Sequence, residues 1–262
     1  MSSTTDAGSL KRGVLLLKLL ATAGPRGLSL TEIAVRAALP HPSVHRVLQQ
    51  LSAERLVDRH PELKRYRLGP LAFELGVAGS TMYDMRDLCE PSMDTLAKAT
   101  EDTIYLVLRS GFDAVCMHRR EGSFPIRTLV LEVGSRRPIG VGAGGLAILA
   151  AIGDEERAEV IERVASGLGA FQLDPAALIQ ACTATRERGV AVIQGTINFG
   201  VTAIGSPFRD TMGQAVGALS VAAMSQRMTT PRVRTIAGLL RTACADVEQR
   251  LRALRRAGWL SG

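Results

Sequence analysis

The sequence predicts an α+β protein in two parts, a winged helix-turn-helix followed by a larger domain on one largely antiparallel sheet. Three observations predict this. The first 69 residues read as helix, helix, proline turn, helix and basic hairpin. From Thr103 onward the apolar period changes from that of helices to the alternation of strands. Beyond that point strands and helices do not alternate regularly, which disfavours a parallel βαβ sheet.

Residues 1–8 are small and polar and are expected to be a disordered tail. Ser9 is a candidate cap for a helix to about Ala23, ended by GPRG. Leu28 to Leu30 suit a short strand, and Thr31, or Ser29 before it, begins a second helix. Pro40 and Pro42 bracket a turn, and Ser43 starts a third helix. Its Val44, Val47, Leu48 and Leu51 share one buried face. Leu56 and Val57, the turn HPELKR and then YRLG make a hairpin. The DNA-binding domain is thus expected over 9–69 and a linker helix over 70–90, weakened by Gly76 and Gly79. The second domain spans 91–262, with Pro91 starting a helix. TIYLVLRSG, DAVCMHRRE and IRTLVLEVGS read as strands, and PIGVGAGGLAILAAI as a loop entering a helix. DEERAEVIERVA and DPAALIQACTATRERG are helices, the latter capped by Asp174 with Pro175 at its first position. VAVIQG, VTAIGSPF and AVGALSVAA are strands. In the long terminal helix Ile236, Leu239, Leu240, Ala243 and Val247 serve as core or as an oligomer seam. Arg250, Arg252, Arg255 and Arg256 form a solvated tail or touch DNA, and the core-plus-solvated-tail reading is preferred.

The charge is uneven. Residues 1–75 carry eleven Lys/Arg against six Asp/Glu, so +5 of the net +7 sits at one end. This favours an anionic partner such as nucleic acid. Cys89, Cys116, Cys182 and Cys244 are scattered and form no zinc motif. The N-terminus lacks a signal-peptide pattern, and the most apolar run is too short and Gly-rich for a membrane span, so the expected location is cytoplasmic.

A helix that reads DNA buries one face and offers the other to base edges. The offered face comprises His41, Pro42, Ser43, His45, Arg46, Gln49 and Gln50. Arginine pairs bidentately with guanine and glutamine with adenine. Ser43 and the first backbone N–H groups suit a phosphate. Arg59, Lys64, Arg65 and Arg67 on the wing extend toward phosphates or the minor groove. Singly, each is equally a solvated polar residue; the ordered set is what argues for DNA.

Catalysis has no support. No Ser-His-Asp set, HExxH or strand-borne GxGxxG occurs. Three of the four histidines, His41, His45 and His60, lie in the N-terminal part, and His118 beside Cys116 suits ordinary strand packing on one face. No cofactor or metal is expected.

The segment LSLTEIAVRAALPHPSVHRVLQQLSAERLVDR, with YRLGPLAFELG after it, resembles the winged-helix core and linker entry of the IclR family of bacterial transcription factors. RRPIGVGAGGLAILA resembles that family's small-residue effector loop, and GVTAIGSPFRDTMGQAVGALSVAA its closing strand pair. The resemblance covers nearly the whole chain. It implies a GAF-like α/β effector domain, a homodimer or dimer of dimers, and DNA binding altered by a small organic effector, often a carboxylic acid or aromatic catabolite. Carried over, the effector positions are Gly142, Ala143 and Gly144 on the loop and Ala203, Ser220 and Ala222 on late strands. The GAGG N–H groups at a helix start suit a carboxylate, although the same glycines equally suit tight packing. Two departures stand out. Gly140 and Leu146 replace the family's usual His and Lys, and VIQGTINF, with Gln194 and Asn198, replaces a usually acidic segment. A less polar pocket and a larger or more apolar ligand, such as an aromatic acid, are therefore expected. The alternative is a ligand-independent repressor or architectural DNA-binding protein.

Overall fold

The computed structural model describes residues 4–23, 26–78, 81–195 and 199–256, and the chain divides into two units, Met1–Tyr83 and Asp84–Gly262. Among the described residues no helix is long and apolar enough to cross a membrane.

The first unit holds α1 (Thr4–Ala21), β1 (Leu28–Ser29), α2 (Leu30–Ala37), α3 (His41–Ala53), β2 (Val57–Arg59), β3 (Arg65–Leu68) and α4 (Pro70–Ala78). Helix α1 already runs at Thr4, so Ser9 lies inside it rather than at its cap. Of the tail expected to be disordered, residues 1–3 lie outside the described residues.

Helix α2 starts on a reciprocal cap. Ser29 Oγ accepts from the Glu32 N–H at 3.3 Å, and the Ser29 N–H donates to Glu32 Oε2 at 2.7 Å. That satisfies two of the free donors of a helix start. Ala38, left-handed at φ 51°, closes the helix as its N–H returns to Ala34 and Val35. Helix α3 then starts at His41, two residues earlier than expected. Pro42 is not part of the turn but sits in the first helical turn, where its missing N–H costs nothing.

Leu16, Leu20, Leu28, Ile33, Val44, Leu48, Val57 and Tyr66 form the unit's core. Strand β3 pairs with both β1 and β2, giving a three-stranded wing sheet. Helix α4 buries none of its residues, and Phe73, Leu75 and Val77 are all more than half exposed. Gly79, expected to weaken a continuous linker helix, lies outside the described residues. The next helix, α5 (Thr81–Thr100), passes through Pro91 instead of starting there. Arg250 supports α5 beside that proline, donating at 3.0 Å to the Leu88 carbonyl and to Ser92 Oγ.

The second unit is built on β4 (Thr103–Ser110), β5 (Asp113–Arg120), β6 (Arg136–Pro138), β7 (Ala191–Gln194), β8 (Val201–Arg209) and β9 (Ala215–Met224). The order is β6-β5-β4-β9-β8-β7, antiparallel throughout. Alternation on β4 sends Ile104, Leu106 and Leu108 to one face, under α5 and α9 (Thr230–Arg256). Tyr105 and Val107 face the other layer, formed by α6 (Gly142–Ala151), α7 (Asp154–Leu168) and α8 (Pro175–Arg188). Asp174 caps α8 by accepting from the Ala177 N–H at 2.7 Å.

Three expectations need correction here. Residues 126–135 are not a strand. Their backbone is engaged by side chains instead: Tyr105 Oη donates to the Thr128 carbonyl at 2.7 Å and accepts from the Val130 N–H at 3.0 Å. Cys116 and His118 do not share a face. A bulge pairs Leu106 with His118 and Val107 with Cys116, leaving Met117 as the extra residue. Cys116 therefore enters the α6 layer, while His118 Nε2 lies 2.6 Å from Glu90 on α5. Of the four terminal arginines of α9, Arg250 is not part of a solvated tail: it is bound as above, whereas Arg252, Arg255 and Arg256 are exposed, Arg252 pairing with Glu248 and Arg255 donating to the Thr211 carbonyl.

Helix α6 begins in direct contact with the sheet. A Cβ on Gly205 would lie 2.4 Å from the Ala143 carbonyl oxygen, and one on Gly144 would lie 2.9 Å from Val107 Cγ2. Gly205→Ala should therefore destabilise the chain by about 1–3 kcal/mol in urea denaturation. An unshifted midpoint would mean that α6 can move off the sheet freely. A second expectation concerns acid. The Ser29 N–H, then the Ser29 hydroxyl and Arg65, hold Glu32 down from 4.5 to about 2. A carboxylate with a depressed folded pKa adds stability above its unfolded pKa and loses it as the pH falls through the folded value. Between pH 4.5 and 2 the thermal midpoint of wild type should approach that of Glu32→Gln, and parallel curves would exclude this contribution.

Candidate functional site

Two places in the chain collect the residues singled out above. The first is the outward face of α3. Val44, Val47 and Leu48 are buried, while His41, Pro42, His45, Arg46, Gln49 and Gln50 are exposed and Ser43 is half-buried. Pro42, His45, Arg46 and Gln49 follow helical spacing and form the centre of this face. Gln50 is turned aside toward α1, where it borders a groove lined by Leu10, Val14, Leu17 and Leu56. Arg46 makes no ion pair among the described residues, so its fork is free for a planar acceptor.

The four basic wing residues divide. Arg65 is turned into the unit. It donates to the carbonyls of Arg26 and Gly27 at 3.0–3.2 Å and to Glu32 Oε2 at 2.8 Å, tying the wing to the start of α2. Arg67 is paired with Asp58 at 2.7 Å. Arg59 stacks over the Tyr66 ring at 5.5 Å and has no acidic partner among the described residues. Lys64 sits at the wing tip with φ 51°, its N–H closing the turn on the His60 carbonyl.

The second place is a cavity between α6 and the sheet. Gly142, Ala143, Gly144, Ala203, Ser220 and Ala222 all line it. The cavity is narrow, about 50 Å³ counted at the positions a water centre can take. Its apolar wall comes from Val107, Val130, Leu131, Ile193 and Val201. Gln194 borders a different groove beside α9, and Asn198 lies outside the described residues. The expectation of a weakly polar pocket therefore rests on Ile193 and Val201 rather than on those two amides.

The polar groups of this cavity are few. Helix α6 starts at Gly142 with φ +82° and has no capping side chain, which leaves its first N–H groups without a side-chain acceptor. Ser220 is 4 % exposed, and its hydroxyl has no hydrogen-bond partner among the described residues. Arg137 on β6 reaches in from the side, donating through Nη2 to the Val130 carbonyl at 2.8 Å and lying 5.8 Å from the Phe171 ring. A Cβ on Gly142 would lie 3.8 Å from its Nη1, so the guanidinium stands beside the α6 start. Burial lowers the pKa of Arg137 and raises those of its neighbours Tyr105 and Cys116, the latter to about 12. Both neighbours thus stay neutral, and Arg137 is the charge of the site.

Sequence reading misses Arg137, Tyr105, Cys116, Ile193 and Val201. Tyr105 and Val107 are legible as alternate residues of one strand. Arg137 has a weaker signal, a cation five residues before a glycine-rich helix start. Cys116 is obscured by the bulge beyond it.

Comparison with known proteins matches two family models in succession. Residues 9–61 match the IclR helix-turn-helix domain, and residues 79–249 match the bacterial transcriptional regulator IclR C-terminal domain. The HTH-type transcriptional regulator KipR of Bacillus subtilis is 26 % identical over 227 residues, covering 86 % of this chain and 90 % of that one. An IclR transcriptional regulator from Alicyclobacillus acidocaldarius superposes with a TM-score of 0.74 at 25 % identity, covering 93 % of this chain and 98 % of its own. An IclR homologue from Microbacterium hydrocarbonoxydans, solved in complex with 4-hydroxybenzoate, gives a TM-score of 0.70 at 26 % identity. The match covers 94 % and 99 % of the two chains.

Proposed function

The chain belongs to the IclR family of bacterial transcriptional regulators, with a DNA-binding helix-turn-helix and a C-terminal effector domain, and we propose that its operator affinity is set by a compact organic acid held in the α6 cavity. One observation carries this reading. The small residues of the GAGG segment and those of two distant strands meet around one apolar cavity whose charged group is an arginine. At about 50 Å³ the cavity is roughly a third of the ~150 Å³ that accepts benzene, so a ring-sized ligand enters only by widening it. The 4-hydroxybenzoate complex of a relative supports a single-ring aromatic acid.

At the DNA end, the proposed contacts are Pro42, His45, Arg46 and Gln49 of α3 for base edges and Ser43 for phosphate. Arg59 and Lys64 of the wing reach the backbone. Arg65 and Arg67 serve the wing itself, since carboxylates already hold them. Two copies would set two α3 helices on a pseudo-palindromic site.

Selection from a random duplex library tests the DNA half. Wild type should enrich a paired half-site motif. Arg46→Ala should lose about 1–3 kcal/mol and relax the preference, and Lys64→Ala should weaken all sequences and shrink the salt slope by about 1. Unchanged specificity in Arg46→Ala would remove α3 from the base edges. Thermal shift across an acid panel tests the effector half. A bound acid at one hundred times its dissociation constant should add about 2.7 kcal/mol. Response to glyoxylate or pyruvate alone would overturn the aromatic assignment. Silence across the panel would favour a ligand-independent repressor.

A further inference from the structure

We propose that Arg137 is the residue that reads the ligand's carboxylate, receiving it between its free guanidinium N–H groups and the uncapped start of α6. This deepens the acid-effector reading and rests on it.

The case begins with charge. Taking a guanidinium out of water is costly unless an anion accompanies it. Nearby arginines of the same unit follow this rule. Arg136, one residue earlier, pairs with Asp113 at 3.0 Å, and Arg109 pairs with Glu156. Arg227 and Arg232 share Asp102, whose side chain is only 2 % exposed. Arg137 is half-buried and has no carboxylate partner among the described residues; its neighbours Tyr105 and Cys116 are neutral. Its Val130 bond occupies one of five N–H donors and fixes the plane of the fork. The donors at Nη1 are left beside Gly142.

Two further groups point the same way. The first N–H groups of α6, a ten-residue helix, lack a side-chain cap and line the same cavity. The nearly buried Ser220 hydroxyl, unpartnered among the described residues, also lines it. A carboxylate at the α6 start would receive a fork from one side and a helix end from the other, while its apolar body lay along Val107, Ile193 and Val201. Among the residues lining the cavity Arg137 is the one that carries a charge, and it comes from outside the loop, on β6.

The test pairs each acid with its own neutral amide. Benzoate, phenylacetate and isobutyrate, and the three primary amides, are titrated calorimetrically into full-length wild type, Arg137→Met and Arg137→Lys. The expected result is that wild type binds at least one acid about 10- to 100-fold tighter than its amide, the range of a charge-assisted hydrogen-bonded pair. Arg137→Met should erase that difference while leaving amide affinity in place. Arg137→Lys should lie between, because one ammonium cannot serve Val130 and the ligand in fork geometry. An equal acid preference in Arg137→Met overturns the assignment and leaves the acid-effector reading standing. Equal binding of acids and amides by wild type also overturns it, and makes the cavity a site for neutral ligands. No binding of any acid by wild type removes the acid-effector reading and the assignment together. Should Arg137→Met fail to fold, an acid preference in Arg137→Lys equal to that of wild type overturns the proposal.

Discussion

The second unit depends on one contact, the seating of the first turn of α6 on the backbone of β8 and on Val107 of β4. No side chain fits between them: a Cβ on Gly205 would enter the Ala143 carbonyl, and one on Gly144 would strike Val107. This close approach buries Ala143, Gly144 and Gly145 of the first turn. It also brings Gly142–Gly145 of the helix to the same hollow as Ala203, Ser220 and Ala222 of the strands. The glycines of GAGG are thus not one kind of residue. Gly144 and Gly145 are tight packing positions, whereas Gly142 is left-handed and faces Arg137. Packing and the proposed ligand contact, which the sequence presents as alternatives, divide along four consecutive residues.

Much of this was legible because the signals are local. The capping box at Ser29 and Glu32, the face Val44, Val47, Leu48, Leu51, and the alternation of β4 each declare themselves within one element. What escaped notice depends on partners far away in sequence. Residues 126–135 have strand-like composition, yet their backbone groups are taken by Tyr105, 23 and 25 residues upstream, and by Arg137. The face assigned to His118 failed because one inserted residue reverses strand alternation, and Met117 does not announce itself as a bulge. Arg250 looked like a tail charge because its acceptors, Leu88 and Ser92, lie 162 and 158 residues away. Among the candidate site residues, the effector set was carried by family resemblance and gathers in one cavity. The partners of Arg65 and Arg67 were not legible because Glu32 and Asp58 become their neighbours only when the wing sheet forms.

A ligand can change DNA affinity only by binding two arrangements of the protein unequally. The structure limits what those arrangements can be within the second unit. Helix α5, which comes after the DNA-binding part in the chain, is fastened to the sheet and to α9 along its middle. Glu90 meets both His118 and Arg120, Asp94 meets Arg120, and Arg250 holds Leu88 and Ser92. Leu88, Cys89, Met93 and Leu96 bury their side chains in the same layer. Releasing α5 alone would break several charge-assisted bonds and expose that apolar face, far more than a small ligand's preference of a few kcal/mol supplies. The cavity lies on the opposite face of the same sheet, and β4 contributes to both: Tyr105 and Val107 to the cavity, Leu106 and Leu108 to the layer under α5. A ligand that shifts β4 therefore moves the bed on which α5 rests. The economical arrangement is for α5 to travel with the sheet as one body.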